Sequence, residues 1–151
     1  MDALKFTILG QAASKANSRR LVQFNNKPRL IKSKEAIAFM RDARRQIPPA
    51  VRVRLQGPVA VRLHIHYMSE RPDLDESVVL DALQDHFAVD KFTKARHLVQ
   101  SGVYCNDRQV RWKLVIHHID RSNPRVEVEV KSIAPTEDLF AMMPFEEPLP
   151  F

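Results

Sequence analysis

Residues 58–67 read PVAVRLHIHY, and this stretch has the clearest period-two pattern in the chain. Successive side chains of a strand point to opposite faces of a sheet. One face would carry the apolar residues Val59, Val61, Leu63, Ile65 and Tyr67, and the other would carry Arg62, His64 and His66. The pattern predicts a strand that covers a core with one face.

On the N-terminal side, the sequence predicts a strand, a loop and a helix. Leu4–Leu9 alternates loosely and ends at Gly10, which is typical of a short strand. Residues 11–29 are polar and basic, and we expect a surface loop there. Ser33 is a good N-cap for a helix with a periodic apolar side, which Pro48-Pro49 would end.

On the C-terminal side, two helices and two strands are expected. Apolar spacing of three and four residues predicts a helix from near Asp73 to Phe87 and a short helix over Asp90–Gln100. Val110–Ile119 and Arg125–Ile133 read as strands, and Asp120–Pro124 would join them into an antiparallel hairpin.

Together these elements predict an α/β (α+β) fold in the order β-α-β-α-(α)-β-β. We expect one small domain over residues 1–135, a mixed sheet of about four strands with helices packed on it, and an acidic, disordered tail over 136–151. The apolar fraction of 44% and the charged fraction of 28% are typical of a globular protein.

The sequence also favours a cytoplasmic protein. Its apolar runs are far shorter than the roughly 20 residues that cross a bilayer, and the N-terminus lacks a signal-peptide pattern. Cys105 is the only cysteine, so no internal disulfide can form, which fits a reducing compartment.

The charge distribution favours a nucleic-acid partner. The chain carries a net +6, but residues 136–151 hold four acids and no Lys or Arg, so residues 1–135 carry +10. Such an excess attracts phosphate backbones, although it is also compatible with a merely solvated basic surface. The predicted DNA contacts are Lys15, Asn17, Arg19, Arg20, Arg44, Arg45, Arg71, Lys91 and Lys94.

Three aspartates within this basic chain are candidate metal ligands. Asp73 and Asp75 follow the 58–67 strand, and Asp107 precedes the next strand, so a sheet that joins the two strands would bring them together. Carboxylates suit Mg²⁺, which prefers oxygen ligands and keeps several waters. The competing interpretation is helix capping, with Asp73 as N-cap and Glu76 reaching back to it.

Three blocks of sequence resemble the RusA family of Holliday-junction resolvases. They are Asp-Leu-Asp at 73–75, Asp-Ala-Leu at 81–83 and Asn-Asp-Arg-Gln-Val at 106–110, similar in order to the family's Asp-Leu-Asp, Asp-Ala-Leu and Asp-Asp-x-Gln-Val. The resemblance covers roughly residues 4–133. It implies that Asp73, Asp75 and Asp107 are catalytic, metal-binding carboxylates of a homodimeric endonuclease that nicks branched DNA.

The chain departs from that pattern at three points. Glu76 replaces an Asn, and Asn106 replaces an Asp. The family's helix carries a catalytic lysine shortly after Asp-Leu-Asp, whereas Ser77-Val78-Val79 follows here. An insertion spans roughly residues 85–101 and brings Lys91 and Lys94, either of which could supply the missing charge.

Two further features of the sequence, its histidines and its C-terminal tail, are each open to more than one interpretation. His64, His66, His117 and His118 could form a metal site with Cys105, although no Cys/His spacing motif supports one. The tail ends in Pro-Phe behind acids and resembles the acidic tip of bacterial single-stranded-DNA-binding proteins. It would dock a protein partner, keep the protein soluble or fold back on the basic body. The tail residues proposed for docking are Glu146, Glu147, Pro150 and Phe151.

The sequence therefore leads to three functional hypotheses. The first is a Mg²⁺-dependent Holliday-junction resolvase of DNA recombination and repair, in which Mn²⁺ could replace Mg²⁺. The second is a non-catalytic protein that binds branched DNA and recruits partners through the tail. The third is an adaptor whose tail is the active element and whose body only tethers it to DNA.

Overall fold

Strand β4, Val59–Tyr67, alternates between buried and partly exposed residues, and it lies inside the main sheet with a neighbouring strand on each side. The computed structural model describes residues 2–134, so the predicted tail lies outside the described residues. The main sheet has the order β1-β8-β4-β7, formed with β1 (Leu4–Leu9), β7 (Val110–Ile119) and β8 (Arg125–Ser132). Its mixed pairing confirms the predicted α+β class.

The two helices cover one face of this sheet. Helix α1, Lys34–Gln46, begins at Ser33, whose side chain accepts a hydrogen bond from the Ala36 N–H, as the sequence predicts. Helix α2 spans only Ser77–Leu83, so the predicted start at Asp73 and end at Phe87 are wrong. Both helices bury apolar side chains in one core with β4, whose alternate residues Val59, Val61, Leu63, Ile65 and Tyr67 are fully buried.

The predicted hairpin between β7 and β8 is wrong. Strand β7 runs parallel to β4, whereas β8 lies antiparallel between β4 and β1. In this register Val126 faces Ile8 of β1, and Val128 faces Leu63 of β4. A strand with an apolar face gains more burial from two neighbours than it would at an edge.

Two small hairpins replace elements that the sequence predicts otherwise. Part of the predicted 11–29 loop instead forms a hairpin of β2 (Arg19–Phe24) and β3 (Lys27–Lys32). Strand β3 extends past the end of the predicted loop. Their turn residues Asn25 and Asn26 have φ of 50° and 60°, the left-handed conformation that two-residue hairpin turns require.

The second hairpin replaces the predicted helix over Asp90–Gln100. It consists of β5, His86–Val89, and β6, Arg96–Gln100. The helix prediction is wrong because the apolar spacing spans too few residues to exclude a strand, and Asp90 forms a turn instead.

Candidate functional site

The hydroxyl of Tyr67 fixes the two aspartates that follow β4. It donates a hydrogen bond to the carbonyl of Asp73 at 3.4 Å and accepts one from the N–H of Asp75 at 3.2 Å. Burial raises the pKa of Tyr67, although the hydrogen bond from Asp75 opposes the shift. The phenol therefore stays protonated and keeps donating to the loop.

Asp75 is the aspartate that supports the start of α2. Its Oδ1 accepts a hydrogen bond of 2.9 Å from the N–H of Ser77, and the residue is buried, whereas Asp73 is exposed. The capping alternative is therefore wrong about Asp73 and Glu76, because Glu76 at the N-cap makes no side-chain capping hydrogen bond.

Asp107 begins a 3-10 turn, Asp107–Gln109, directly before β7. Its N–H donates to Oε1 of Gln84 at 3.1 Å, which ties the turn to the end of α2. Gln109 fixes the other side, since its Nε2 donates to the carbonyls of Leu55 and Gly57 at 2.7 and 2.8 Å. The backbone that carries Asp107 is thus held from two directions.

The chain just before Asp107 packs closely against the end of α2. A Cβ added to Gly102 would come within 2.4–2.5 Å of backbone atoms of residues 83–85, so only glycine fits there. The N–H of Val103 donates to the carbonyl of Leu83 at 2.8 Å. This contact brings the Asp107 turn beside α2, although the two are distant in sequence.

A cleft of about 440 Å³ lies where α2, the Asp107 turn, β7 and the start of β2 meet. It contains three carboxylates among three cations. The acidic lining residues are Glu76, Asp81 and Asp107, and the basic ones are Arg19, Arg111 and Lys113. Carboxylates can hold a divalent metal ion, and nearby cations can bind the phosphate on which it acts.

The three carboxylates differ in their partners. Glu76 forms an ion pair with Lys113 at 2.5 Å, and Asp81 forms one with Lys32 at 3.2 Å. Within residues 2–134, the Asp107 side chain accepts no hydrogen bond and forms no ion pair.

The negative charges of the cleft also act on the buried Tyr104. Burial raises the pKa of Tyr104 well above its ordinary value, and Asp107 and Asp81 contribute with their negative charges.

The predicted metal ligands are only partly brought together. Asp107 lines the cleft, and Asp75 bonds to Ser77, which also lines it, but Asp73 is not among the lining residues. In the described part of the chain, no group of three or more His, Cys, Asp or Glu is arranged to hold a metal ion. The all-oxygen donors of the cleft nevertheless fit Mg²⁺, which is commonly bound through one or two carboxylates and waters.

Sequence reasoning missed Glu76 and Asp81 as cleft residues and also missed Arg111 and Lys113. The period of two in β7 could have revealed that Arg111 and Lys113 share one face. The ion pairs to Lys32 and Lys113 join residues far apart in the sequence, so no local pattern indicates them.

Eight of the nine predicted DNA contacts are exposed: Lys15, Asn17, Arg19, Arg20, Arg45, Arg71, Lys91 and Lys94. Arg19 is the first residue of β2 and also lines the cleft, so the β2–β3 hairpin borders the cleft. Arg44 differs, since it is half-buried and burial lowers its pKa, while Asp81 raises it. Arg44 is therefore better placed to neutralise Asp81 than to meet a phosphate.

The histidines cluster on the sheet face opposite the helices. His64 Nδ1 lies 2.8 Å from His118 Nε2, and the ring centroids of His66 and His118 are 4.5 Å apart. Burial lowers the pKa of His118, and the neighbouring histidines add to this effect. Cys105 contacts Gln56 and Arg54 instead, so the alternative metal site of histidines with Cys105 is not formed among residues 2–134.

No protein-family model matches the chain, and a comparison with curated proteins finds no match either. The functional argument therefore rests on the residues and their geometry. Among residues 2–134, neither helix combines the length and the apolar composition that crossing a bilayer requires.

Proposed function

We propose that the protein is a Mg²⁺-dependent endonuclease that cleaves Holliday junctions or other branched DNA at paired phosphodiesters. The observation that carries this proposal is the cleft in which the Asp107 side chain has no hydrogen-bond or ion-pair partner among residues 2–134 and lies among Arg19, Arg111 and Lys113. The resemblance of the three sequence blocks to RusA resolvases supports the same reaction.

In this proposal, Asp107 of the cleft and Asp75, which bonds to the cleft residue Ser77, would hold the metal together with waters, and Asp73, which does not line the cleft, would have to approach them on binding. Mg²⁺, or Mn²⁺ in its place, supplies Lewis-acid polarisation of the phosphoryl group and a water of lowered pKa. The N–H of Ser77 and the hydroxyl of Tyr67 keep Asp75 and its loop in position. Arg19, Arg111 and Lys113 bind the phosphate, and Lys113 must exchange its contact with Glu76 for the substrate.

The basic surface indicates how the substrate would bind. The β2–β3 hairpin carries Arg19 and Arg20, and the β5–β6 turn carries Lys91 and Lys94, all of them exposed. Phosphate contacts of this kind position a duplex without reading its sequence, so recognition would follow the shape of the branch. We propose that a homodimer in the cytoplasm supplies two such sites, one for each nick.

The test uses a labelled four-way junction and its linear duplex with Mg²⁺ or EDTA, analysed on denaturing gels. We expect paired nicks in the junction with Mg²⁺ only, and Asp107→Asn should abolish them while keeping junction binding. Asp42→Asn is the matched control, because Asp42 is an exposed acid on α1 that pairs with Arg41. Nicking that survives EDTA or Asp107→Asn would contradict the proposal.

A second function is a non-catalytic protein that binds branched DNA and recruits repair partners through its tail. The ion pairs that neutralise Glu76 and Asp81 favour it, because they leave Asp107 as the one cleft carboxylate without a partner in the described residues. The tail residues of this proposal, Glu146, Glu147, Pro150 and Phe151, lie outside the described residues. Tight junction binding without nicks under several divalent metals would support this function.

A further inference from the structure

The turn between β5 and β6 is held by a closed set of hydrogen bonds. Asp90 Oδ1 accepts from the N–H groups of Phe92 and Thr93, both at 2.8 Å, and the Asp90 N–H donates to the Ala95 carbonyl at 2.9 Å. The N–H of Lys94 returns to the Asp90 carbonyl at 3.1 Å. The turn is therefore a defined structure that fixes the direction of its side chains.

This turn presents an aromatic side chain to solvent. Phe92 is 93% exposed, the highest value among the large apolar residues of the described chain. Leaving a phenylalanine outside the core forgoes the favourable free energy that its burial would contribute. Val89 and Val99 of the same hairpin are also exposed, at 60% and 54%, and several exposed apolar side chains on one hairpin are typical of a contact surface.

The charges beside Phe92 indicate the chemistry of its partner. Lys91 and Lys94 flank it and are exposed, and Arg96 follows on β6 over the ring of Phe87 at 3.9 Å. Hydrogen bonds from Thr93 and Phe92 lower the pKa of Asp90, so this one acid of the turn is engaged with the backbone. Cations around an aromatic ring fit a phosphate backbone with a base available for stacking.

The hairpin is also anchored beside the cleft. The buried carboxylate of Asp85 accepts from Arg54 Nη2 at 2.9 Å and from the N–H of Gly102 at 2.8 Å. Gln84, the preceding residue, bonds to Asp107 in the cleft. The four-residue strand β5 spans about 13 Å, which corresponds to roughly four stacked base pairs along DNA.

We propose that Phe92 stacks on a base face that is left unstacked at the branch point of branched DNA while Lys91 and Lys94 hold the adjoining phosphates. This inference rests on the proposed function and deepens it, because it names the structural feature of the substrate that the protein reads. A continuous duplex keeps its base faces stacked on one another, whereas a branch point interrupts the stacking and can expose a base face to Phe92.

The test places 2-aminopurine at the branch point of a four-way junction and follows its fluorescence with wild type in EDTA. We expect a change on binding that Phe92→Ala removes and Phe92→Trp restores. Phe92→Ala should weaken junction binding about tenfold, within the range of one stacked base, and leave duplex binding unchanged. Ile37→Ala is the control, since Ile37 is an exposed apolar residue on α1.

Several results would overturn the stacking proposal. One is a Phe92→Ala protein that binds the junction as wild type does and keeps the fluorescence change. Another is a Phe92→Ala defect in binding anionic lipid vesicles with junction binding intact, which would assign the turn to a membrane surface. Loss of nicking in Asp107→Asn alongside either result would leave the nuclease proposal standing, whereas absence of any DNA binding would overturn both.

Discussion

The carboxamide oxygen of Gln84 accepts a hydrogen bond of 3.1 Å from the backbone N–H of Asp107. This bond joins the residue that follows α2 to the turn that precedes β7. Because Asp85 anchors the β5–β6 hairpin next to Gln84, one short segment connects the cleft to the Phe92 turn. Gln84 therefore positions Asp107 in the cleft.

If Asp107 holds the metal as proposed, Gln84→Leu should slow nicking about tenfold, because a small displacement of a metal ligand is costly in rate. The variant should unfold only about 1 kcal/mol more easily, the typical contribution of one hydrogen bond. Single-turnover rates with the junction prebound separate the two effects. Gln56→Leu is the control, and equal rates for both variants would contradict a positioning role for Gln84.

Lys113→Met should weaken DNA binding and reduce the dependence of affinity on salt. If Lys113 exchanges Glu76 for a phosphate, one fewer counterion is released, so the slope of log affinity against log salt falls by about one. Fluorescence anisotropy between low and physiological salt measures this slope. Lys34→Met, at the exposed start of α1, is the control, and an unchanged slope for Lys113→Met would remove Lys113 from the interface.

Asp85→Ala should destabilise the protein by about 2 to 3 kcal/mol. The carboxylate is 1% exposed and accepts hydrogen bonds from the partly exposed Arg54 side chain and from the buried N–H of Gly102, so its loss removes a charge-assisted bond and leaves that N–H without a partner. Urea denaturation measures the change. Asp42→Ala removes an exposed ion pair with Arg41 and should cost less than about 1 kcal/mol, so equal losses would contradict this account.

The stability of the protein should fall as the pH decreases below about 6.5. Burial lowers the pKa values of His118 and His86, so the unfolded chain binds protons that the folded protein excludes. This contribution is present in full above the ordinary histidine pKa and is lost on acidification. Urea midpoints between pH 8 and 5.5 should fall less steeply for His118→Gln than for wild type, and His97→Gln should match wild type.

The central parts of the fold could be predicted because local patterns determine them. Alternation identifies β4, and Ser33 with the paired prolines identifies the ends of α1. The β2–β3 hairpin was missed because its strands bury little, although Asn25-Asn26 is a turn signal. The pairing of β8 between β1 and β4 depends on tertiary packing, which a short connecting turn does not reveal.

The same distinction between local sequence patterns and tertiary packing applies to the candidate site. Asp75 and Asp107 could be selected because each stands at the boundary of an element near β4 or β7. Glu76, Asp81 and Lys113 could not, because their ion pairs join residues at or before α2 to strands β3 and β7, which are distant in the sequence. The exposure of Phe92 depends on the Asp90 turn, where the apolar spacing of the sequence predicts a helix.

The most direct test of the nuclease proposal is the single-turnover nicking rate of Asp75→Asn with Mg²⁺ on a prebound four-way junction. Asparagine keeps an oxygen that can accept from the Ser77 N–H, so the start of α2 should persist while the negative charge is lost. We predict junction affinity within about twofold of wild type and a nicking rate reduced at least about 100-fold. A rate equal to that of wild type would contradict the proposal that this carboxylate serves metal-dependent cleavage.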